Sequence, residues 1–235
     1  MRLEARVAEK SFRTAAGQSV PVIANLSFAL EEGETGALIG PSGCGKSTLM
    51  RILAGLDRNF DGSVHIPTHG KVGMVFQEPR LLPWRSVEDN VRLAAPHASD
   101  AEVATLFAAL GLSEHRAHFP GELSIGLARR AALARAFAVR PTLLLLDEPF
   151  VSLDAPLARQ LQGDLARLVE SRRMIVVLVT HDVDEAIALA DRIFVLSARP
   201  THVVGEIRVK NQRAAMNDEE RKSIAARIDA LRGAA

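Results

Sequence analysis

Residues 40–47 read Gly40-Pro41-Ser42-Gly43-Cys44-Gly45-Lys46-Ser47 and match the pattern G-x-x-x-x-G-K-[ST] at every fixed position. The preceding segment 34–39 is typical of a strand, and the apolar residues within 49–53 follow a helical spacing that stops at Gly55. Chance gives this pattern in roughly one chain per hundred of this length. A strand, a glycine-rich turn and a helix in this order favour a phosphate-binding loop over an ordinary turn.

Each fixed position of this loop has a chemical task. Glycines let the backbone N–H groups surround phosphate oxygens, Lys46 reaches the β- and γ-phosphates, and the Ser47 hydroxyl is a ligand for Mg²⁺. The residues expected to contact the nucleotide here are Gly40, Pro41, Ser42, Gly43, Cys44, Gly45, Lys46, Ser47 and Thr48.

A second motif, with two acidic residues, follows the buried apolar run 143–146. It lies at the end of a predicted strand, where ligands bind in α/β sheets. Asp147 is expected to hold Mg²⁺, directly or through water, and Glu148 to orient or deprotonate an attacking water molecule. The alternative is a solvated strand end or a helix cap.

The rest of the chain fits an α/β core with a parallel sheet. Apolar runs at 72–76 and 174–179 predict further buried strands, and alternation over 3–30 predicts short antiparallel strands at the N-terminus. Between residues 76 and 143 only helix starts recur, at Ser86 and Ser99. We therefore expect one domain over residues 1–235, with a helical subdomain at about 80–140, a strand at 203–209 and a C-terminal helix at about 217–232.

Composition restricts the classes of protein. Lys and Arg number 29 and Asp and Glu 28, so the formal charge of +1 provides no global field for a nucleic acid, and we expect no such partner. The longest apolar run, Met174–Val179, is far below the roughly 18 residues of a membrane span. The charged residues 1–6 are unlike a signal peptide, and the single cysteine fits a reducing compartment, so we expect a cytosolic protein.

Beyond these motifs, the chain from about Leu3 to about Val209 resembles the ATP-binding subunits of ABC transporters. Gln77 resembles the Q-loop glutamine of that family, Ser152-Leu153-Asp154 its D-loop, and Thr180-His181 its switch histidine. The resemblance implies a P-loop NTPase core of the ABC ATPase type, with an N-terminal antiparallel β subdomain and an inserted helical subdomain.

Phe12 occupies about the place of the aromatic residue that stacks on adenine in this family. That residue is usually tyrosine, which this chain lacks altogether. A role in the hydrophobic core is the alternative for Phe12.

The family's signature, L-S-G-G-Q, stands here as Leu123-Ser124-Ile125-Gly126-Leu127 and departs from the pattern at Ile125 and Leu127. The resemblance implies that Ser124 and the Gly126 N–H contact the γ-phosphate of ATP held by an opposite subunit. Leu127 cannot donate a side-chain hydrogen bond, and Ile125 excludes a left-handed backbone that glycine would accept.

The mechanism implied by the resemblance uses ATP and Mg²⁺ in a head-to-tail homodimer or heterodimer of ATPase subunits. It gives catalytic roles to Glu148, His181, Gln77 and Lys46, and metal-binding roles to Ser47, Gln77 and Asp147. Gln77 would report the nucleotide state to a membrane partner.

The segment from Val75 to Trp84 resembles importers for nitrate, taurine and alkanesulfonates. This resemblance implies integral membrane permease subunits, a separate solute-binding protein, and a location on the cytoplasmic side of the inner membrane. Trp84 either anchors a docking surface or packs within the helical subdomain. A soluble ABC ATPase of DNA repair or translation is the alternative, against which stand the single ATPase unit and the lack of a heptad run or basic patch.

Three arginines follow the signature. Arg129, Arg130 and Arg135 resemble a solvated, salt-bridged face of a helix.

Overall fold

The computed structural model describes residues 2–66, 70–170, 172–209 and 216–233. The strands and α-helices in these ranges are β1 (Arg2–Arg13), β2 (Ser19–Glu31), β3 (Thr35–Ile39), α1 (Lys46–Leu53), β4 (Asp61–His65), β5 (Val72–Val75), α2 (Val87–Ala94), α3 (Asp100–Ala109), α4 (Ile125–Ala138), β6 (Leu143–Asp147), α5 (Ala155–Glu170), β7 (Ile175–Thr180), α6 (Val183–Leu189), β8 (Arg192–Leu196), β9 (Val203–Arg208) and α7 (Asp218–Gly233). Two 3₁₀ helices cover Ser113–His115 and Pro120–Glu122.

The chain forms two compact units, residues 1–68 with 175–235 and residues 69–174. In the first unit, β1 pairs with β2 and β4 to form an antiparallel sheet. This confirms the antiparallel N-terminal strands, but they have 12 and 13 residues and are not short. Pairing continues across a bulge, where Lys10 lies opposite Ile23 and Ser11 opposite Pro21.

The first unit also contains parallel strands, with β3 between β7 and β8, and β9 antiparallel to β8. Every residue of β3 and of β7 is buried, as the continuous apolar runs predict. Ile39 lies opposite Thr180, so these two strands end at the same level. The loop after β3 and the residues after β7 therefore emerge side by side.

In the second unit, β5 runs parallel to β6, with Val75 opposite Leu146. Gln77, shortly after β5, and Asp147-Glu148, at the end of β6, therefore lie at one edge. The expected helix starts are confirmed: the Ser86 hydroxyl accepts from the Asp89 N–H, and Ser99 forms a full capping box with Glu102. The 77–142 interval, which is described throughout, contains helices and no strand.

The expectation of a solvated, salt-bridged arginine face on α4 is wrong about solvation for Arg129 and Arg130, whereas Arg130 does form a salt bridge. Arg129 and Arg130 are 7% and 8% exposed. Arg130 donates to the Leu110 carbonyl at 2.9 Å and to the Asp164 carboxylate at 2.7 Å. A buried guanidinium needs such partners to offset its lost hydration. The positions of the arginines along α4 do not reveal these partners, because the partners belong to other elements.

The C-terminal helix α7 begins after Asn217, whose side-chain oxygen accepts from the Glu220 N–H at 2.9 Å, while Glu220 accepts from the Asn217 N–H at 3.2 Å. Its Ile224 and Ile228 are buried. Among the described helices, none is long and apolar enough to cross a membrane.

Candidate nucleotide site

The loop 40–45 connects β3 to α1, and its glycines are needed for its shape. Gly43 and Gly45 have φ values of 75° and 129°, which side-chain-bearing residues rarely adopt. No atom of the residues that the structure describes lies within 4 Å of the position a Cβ on Gly43 would occupy, so this side of the loop is open to a ligand. The backbone here has the concave shape that surrounds an anion.

The back of the loop is held by parts of the first unit that are distant in sequence. A Cβ on Gly45 would lie 2.8 Å from Val22 Cγ1, at the bulge of β2. Thr201 donates from its hydroxyl to the Cys44 carbonyl and from its N–H to the Val22 carbonyl, the latter at 2.8 Å. Cys44 itself is 2% exposed, so its thiol lies behind the loop while its carbonyl is an anchor.

The Lys46 ammonium lies inside the curve of the loop. Lys46 is only 7% exposed, and its Nζ donates to the carbonyls of Gly40 at 2.8 Å and Pro41 at 2.9 Å. These neutral acceptors leave the positive charge uncompensated by a carboxylate at these contacts. A phosphate group is the partner that such an arrangement attracts.

His181 and the loop share a cavity of about 370 Å³. Its lining residues are Gly40, Pro41, Ser42, His181, Leu196, Ala198 and Arg232. Arg232, near the end of α7, donates to the His181 carbonyl at 3.4 Å. Sequence reasoning did not identify Arg232, because it follows no motif and reaches the site only through the packing of α7.

Phe12 is 47% exposed, which contradicts the core alternative. It lies near the end of β1, opposite Val20 on β2. An exposed aromatic ring next to the strand that supports the loop is suited to stacking on a base.

The second unit brings Gln77 and Glu148 together. The Gln77 amide nitrogen lies 3.5 Å from a carboxylate oxygen of Glu148, and Asp147 is 7% exposed at the end of β6. Glu148 has a φ of 46°, in the left-handed region that costs energy for a residue with a Cβ. Strained backbone of this kind is found at functional sites, where the surrounding structure has to maintain it.

Arg129 provides such a constraint, and the sequence did not predict this role. Its guanidinium donates to the carbonyls of Pro149 at 2.8 Å and Val151 at 2.6 Å, directly after Glu148. Arg135, further along α4, donates to the carbonyls of Pro79 and Arg80, both at 2.7 Å, close after Gln77. Burial lowers the pKa of Arg135 from its usual value. Two arginines of α4 thus hold the loops that carry Gln77 and Glu148.

The signature segment forms the start of α4. Ser124 is the N-cap, and its hydroxyl accepts from the Leu127 N–H at 3.3 Å. Ile125 is the first helical residue, has no left-handed backbone, and is 62% exposed. A Cβ on Gly126 would lie 2.7 Å from Leu157 Cδ2 of α5, so the second glycine is set by close packing.

The D-loop leads into α5. Ser152 has a φ of 63°, and the Asp154 carboxylate accepts from the Leu157 N–H at 2.9 Å. Leu157 is also the residue that faces Gly126. The D-loop and the signature are therefore joined through the first turn of α5.

Mg²⁺ prefers oxygen ligands and keeps several waters, so it is commonly held by one or two carboxylates together with phosphates. The hydroxyl of Ser47, the amide of Gln77 and the carboxylate of Asp147 are donors of this kind. No group of three or more His, Cys, Asp or Glu side chains suited to a metal occurs among the described residues. The donor chemistry of these three side chains fits a magnesium ion.

Comparisons with known proteins identify the family of this chain. The family model described as ABC transporter matches residues 23–151. The aliphatic sulfonates import ATP-binding protein SsuB 2 of Pseudomonas syringae pv. tomato is 44% identical over 208 residues, covering 88% of this chain and 87% of that protein. SsuB 1 of Pseudomonas aeruginosa UCBPP-PA14 is 44% identical over 201 residues, covering 80% and 81%.

Solved structures give the same result for the fold. The dimeric structure of the ATP-binding cassette MJ0796 bound to ADP and Pi has a TM-score of 0.78 and 28% identity, over 90% of this chain and 100% of that one. The chain therefore belongs to the ABC transporter family, as an ATP-binding subunit whose ATPase activity is coupled to transport.

Proposed function

We propose that this chain is the ATPase subunit of a bacterial importer for a small anionic solute of the sulfonate, taurine or nitrate type. Nucleotide binding is supported above all by the Lys46 ammonium, which lies inside the loop. The open side of this loop shares a cavity with His181. The solute class is supported by the 44% identity to proteins named for the import of aliphatic sulfonates.

In the hydrolytic step, loop N–H groups and Lys46 hold the triphosphate and offset the charge that develops on the γ-phosphoryl group. Glu148 orients the attacking water and accepts its proton. Its hydrogen bond with Gln77 gives the glutamine a way to sense the state of this carboxylate. His181, exposed at the edge of the cavity, stabilises the γ-phosphate.

Ser47, Gln77 and Asp147 are the residues that would hold Mg²⁺. When bound, the metal neutralises charge on the β- and γ-phosphates. Ser47 is exposed directly after Lys46, as a hydroxyl that binds a phosphate-bound ion has to be.

A second subunit completes the site. Ser124 is exposed at the N-terminus of the 14-residue α4, where its hydroxyl and the following N–H groups can receive a phosphate. The similar cassette MJ0796 was solved as a dimer with ADP and Pi. The partner is either a second copy of this chain or a related ATPase subunit.

The membrane partners are integral permease subunits, with a separate solute-binding protein that delivers the anion. Trp84 is 71% exposed, which contradicts packing inside the helical subdomain and supports a docking role. Docking would place the chain on the cytoplasmic side of the inner membrane. The soluble DNA-repair or translation alternative is not favoured, since the matched relatives are import proteins.

The test is purification of a tagged chain from membranes, followed by reconstitution of the complex. We expect integral subunits to co-purify, and a solute-binding protein loaded with an alkanesulfonate to stimulate ATP hydrolysis. Trp84→Ala should weaken the association by about tenfold or more and leave ATP binding unchanged. Phe119→Ala, which alters another exposed aromatic residue of the same unit, is the control. Absence of integral subunits would contradict a transport role, and stimulation by nitrate or taurine alone would change the solute.

A further inference from the structure

Lys10 is a buried lysine, 3% exposed, whose ammonium lies against the Phe12 ring. Its Nζ is 4.6 Å from the centroid of that ring. It also lies 2.9 Å from the Asp57 carboxylate and 2.6 Å from the Asn59 carbonyl oxygen. The ammonium is thus fixed in place by three partners, one of which is the aromatic face.

Asp57 supplies the charge that makes burial of this lysine tolerable. Burial raises the pKa of Asp57, but hydrogen bonds from Lys10 and the Asn59 N–H and the charge of Lys10 outweigh it, so the pKa lies below its ordinary value. The Asp57 carboxylate is therefore ionised at neutral pH and provides a negative charge opposite the Lys10 ammonium.

Phe12 remains 47% exposed although Lys10 lies over its ring. Phe12 lies opposite Val20 on β2, two residues before Val22, which contacts the phosphate-binding loop at Gly45. Two residues along a strand span about 7 Å. A nucleotide whose phosphates lie in the loop therefore has its base within reach of the open part of the ring.

Phenylalanine has no hydroxyl that could fix the orientation of its ring. A cation against the ring face holds the ring through the quadrupole and draws electron density from it, which favours stacking of an electron-rich purine on the exposed side. We propose that Lys10, held by Asp57, is a positioning residue that fixes Phe12 as the stacking platform for the nucleotide base. This inference rests on the nucleotide site proposed above.

The experiment compares a ligand with a base and a ligand without one. Binding of magnesium AMP-PNP and of magnesium tripolyphosphate to the full chain is measured by calorimetry. The variants are Lys10→Met, Phe12→Ala and the combination of both. Lys10→Met with Asp57→Asn removes both charges and so leaves no unpaired buried carboxylate, and Arg6→Met, an exposed position on the same strand, is the control.

We expect Lys10→Met, alone or with Asp57→Asn, to weaken AMP-PNP binding about fivefold and Phe12→Ala to weaken it about tenfold. Tripolyphosphate binding should stay within about twofold, since the loop is untouched. Adding Lys10→Met to Phe12→Ala should produce no further loss, because the lysine acts through the ring.

Equal losses for both ligands, additive losses in the combined variant, or unchanged AMP-PNP binding would each overturn the inference. If the unaltered chain bound neither ligand, the nucleotide site itself would be refuted, and the role of Lys10 with it. If the unaltered chain bound tripolyphosphate and AMP-PNP equally, only the base platform would be refuted.

Discussion

The phosphate-binding loop and the signature segment both lie at a helix N-terminus, but they depend on their sequence patterns in different ways. In the loop, Gly43 and Gly45 have left-handed φ values, and Gly45 also packs against Val22. In the signature, Ile125 replaces a glycine of the family pattern and still has ordinary helical geometry. Only Gly126 is constrained there, by its close approach to Leu157.

The difference shows where a departure from a motif matters. A glycine that supplies an unusual φ or a close contact cannot be replaced without strain, whereas a glycine at the first turn of a helix can be. The departure at Ile125 therefore leaves the backbone shape of the signature intact. What the segment has lost is chemical, because Leu127 offers no side-chain donor.

The largest effect is expected in the loop itself. Lys46→Ala should reduce ATP hydrolysis by about 100-fold or more, because it removes the charge that lies among the loop carbonyls. Arg51→Ala, at an exposed position of the same helix, should leave hydrolysis unchanged. Steady-state ATPase assays with thermal melts measure both, and full turnover in Lys46→Ala would refute the nucleotide site.

The second prediction asks whether the altered signature still works across subunits. Glu148→Gln cannot accept a proton, so we expect hydrolysis to slow about 100-fold or more and an ATP-bound dimer to accumulate. Size-exclusion chromatography with light scattering should show this dimer with MgATP and not with MgADP.

Adding Ser124→Arg to Glu148→Gln should abolish the dimer, because the bulky cation obstructs the exposed N-cap. A Glu148→Gln chain that stays monomeric at high protein concentration and saturating ATP would mean that Ile125 and Leu127 have disabled the symmetric site. A heterodimer with an intact partner would then be the correct assembly.

A third prediction separates the two glycine positions of the signature. Gly126→Ala should lower the free energy of unfolding by about 1 kcal/mol or more, since Leu157 has to move. Ile125→Gly restores the family pattern at this one position but should itself lower stability by up to about 1 kcal/mol through helix propensity, without strengthening the ATP-bound dimer of Glu148→Gln. Urea unfolding and light scattering measure these changes. A tighter dimer in Ile125→Gly would show that the departure affects function.

The smallest effect is expected for Glu88, whose ionised carboxylate stabilises the unit that contains the signature. Hydrogen bonds from Arg116, followed by those from Arg92, lower the pKa of Glu88 from 4.5 to about 2 despite partial burial. A lowered folded-state pKa stabilises the protein above about pH 4.5, and this contribution is lost as pH falls toward 2.

Glu88→Gln should therefore lower the free energy of unfolding by about 1 kcal/mol at pH 7. The difference in stability between Glu88→Gln and the unaltered chain should shrink as the pH is lowered from 5 toward 3, as measured by thermal melts. A difference that is constant with pH would contradict the ionic origin.

Local sequence was sufficient to predict the motifs and the strands and helix starts next to them. The glycines of residues 40–47, the apolar runs that became β6 and β7, and the caps at Ser86 and Ser99 all act within a few residues along the chain. Their spacing therefore predicted the phosphate-binding loop, the fold class and the helix starts. The strands β1 and β2 are longer than expected because a bulge, which alternation does not reveal, lets pairing continue.

The partners that hold these motifs were decided by the tertiary structure. Arg129 contacts carbonyls 20 and 22 residues away, Arg232 contacts a carbonyl 51 residues away, and Thr201 an anchor 157 residues away. Lys10 meets Asp57 across 47 residues. No spacing rule connects such residues, because whether a charged side chain is solvated or buried depends on which other elements approach it. The sequence therefore determined where the chemistry lies, and packing decided what fixes its geometry.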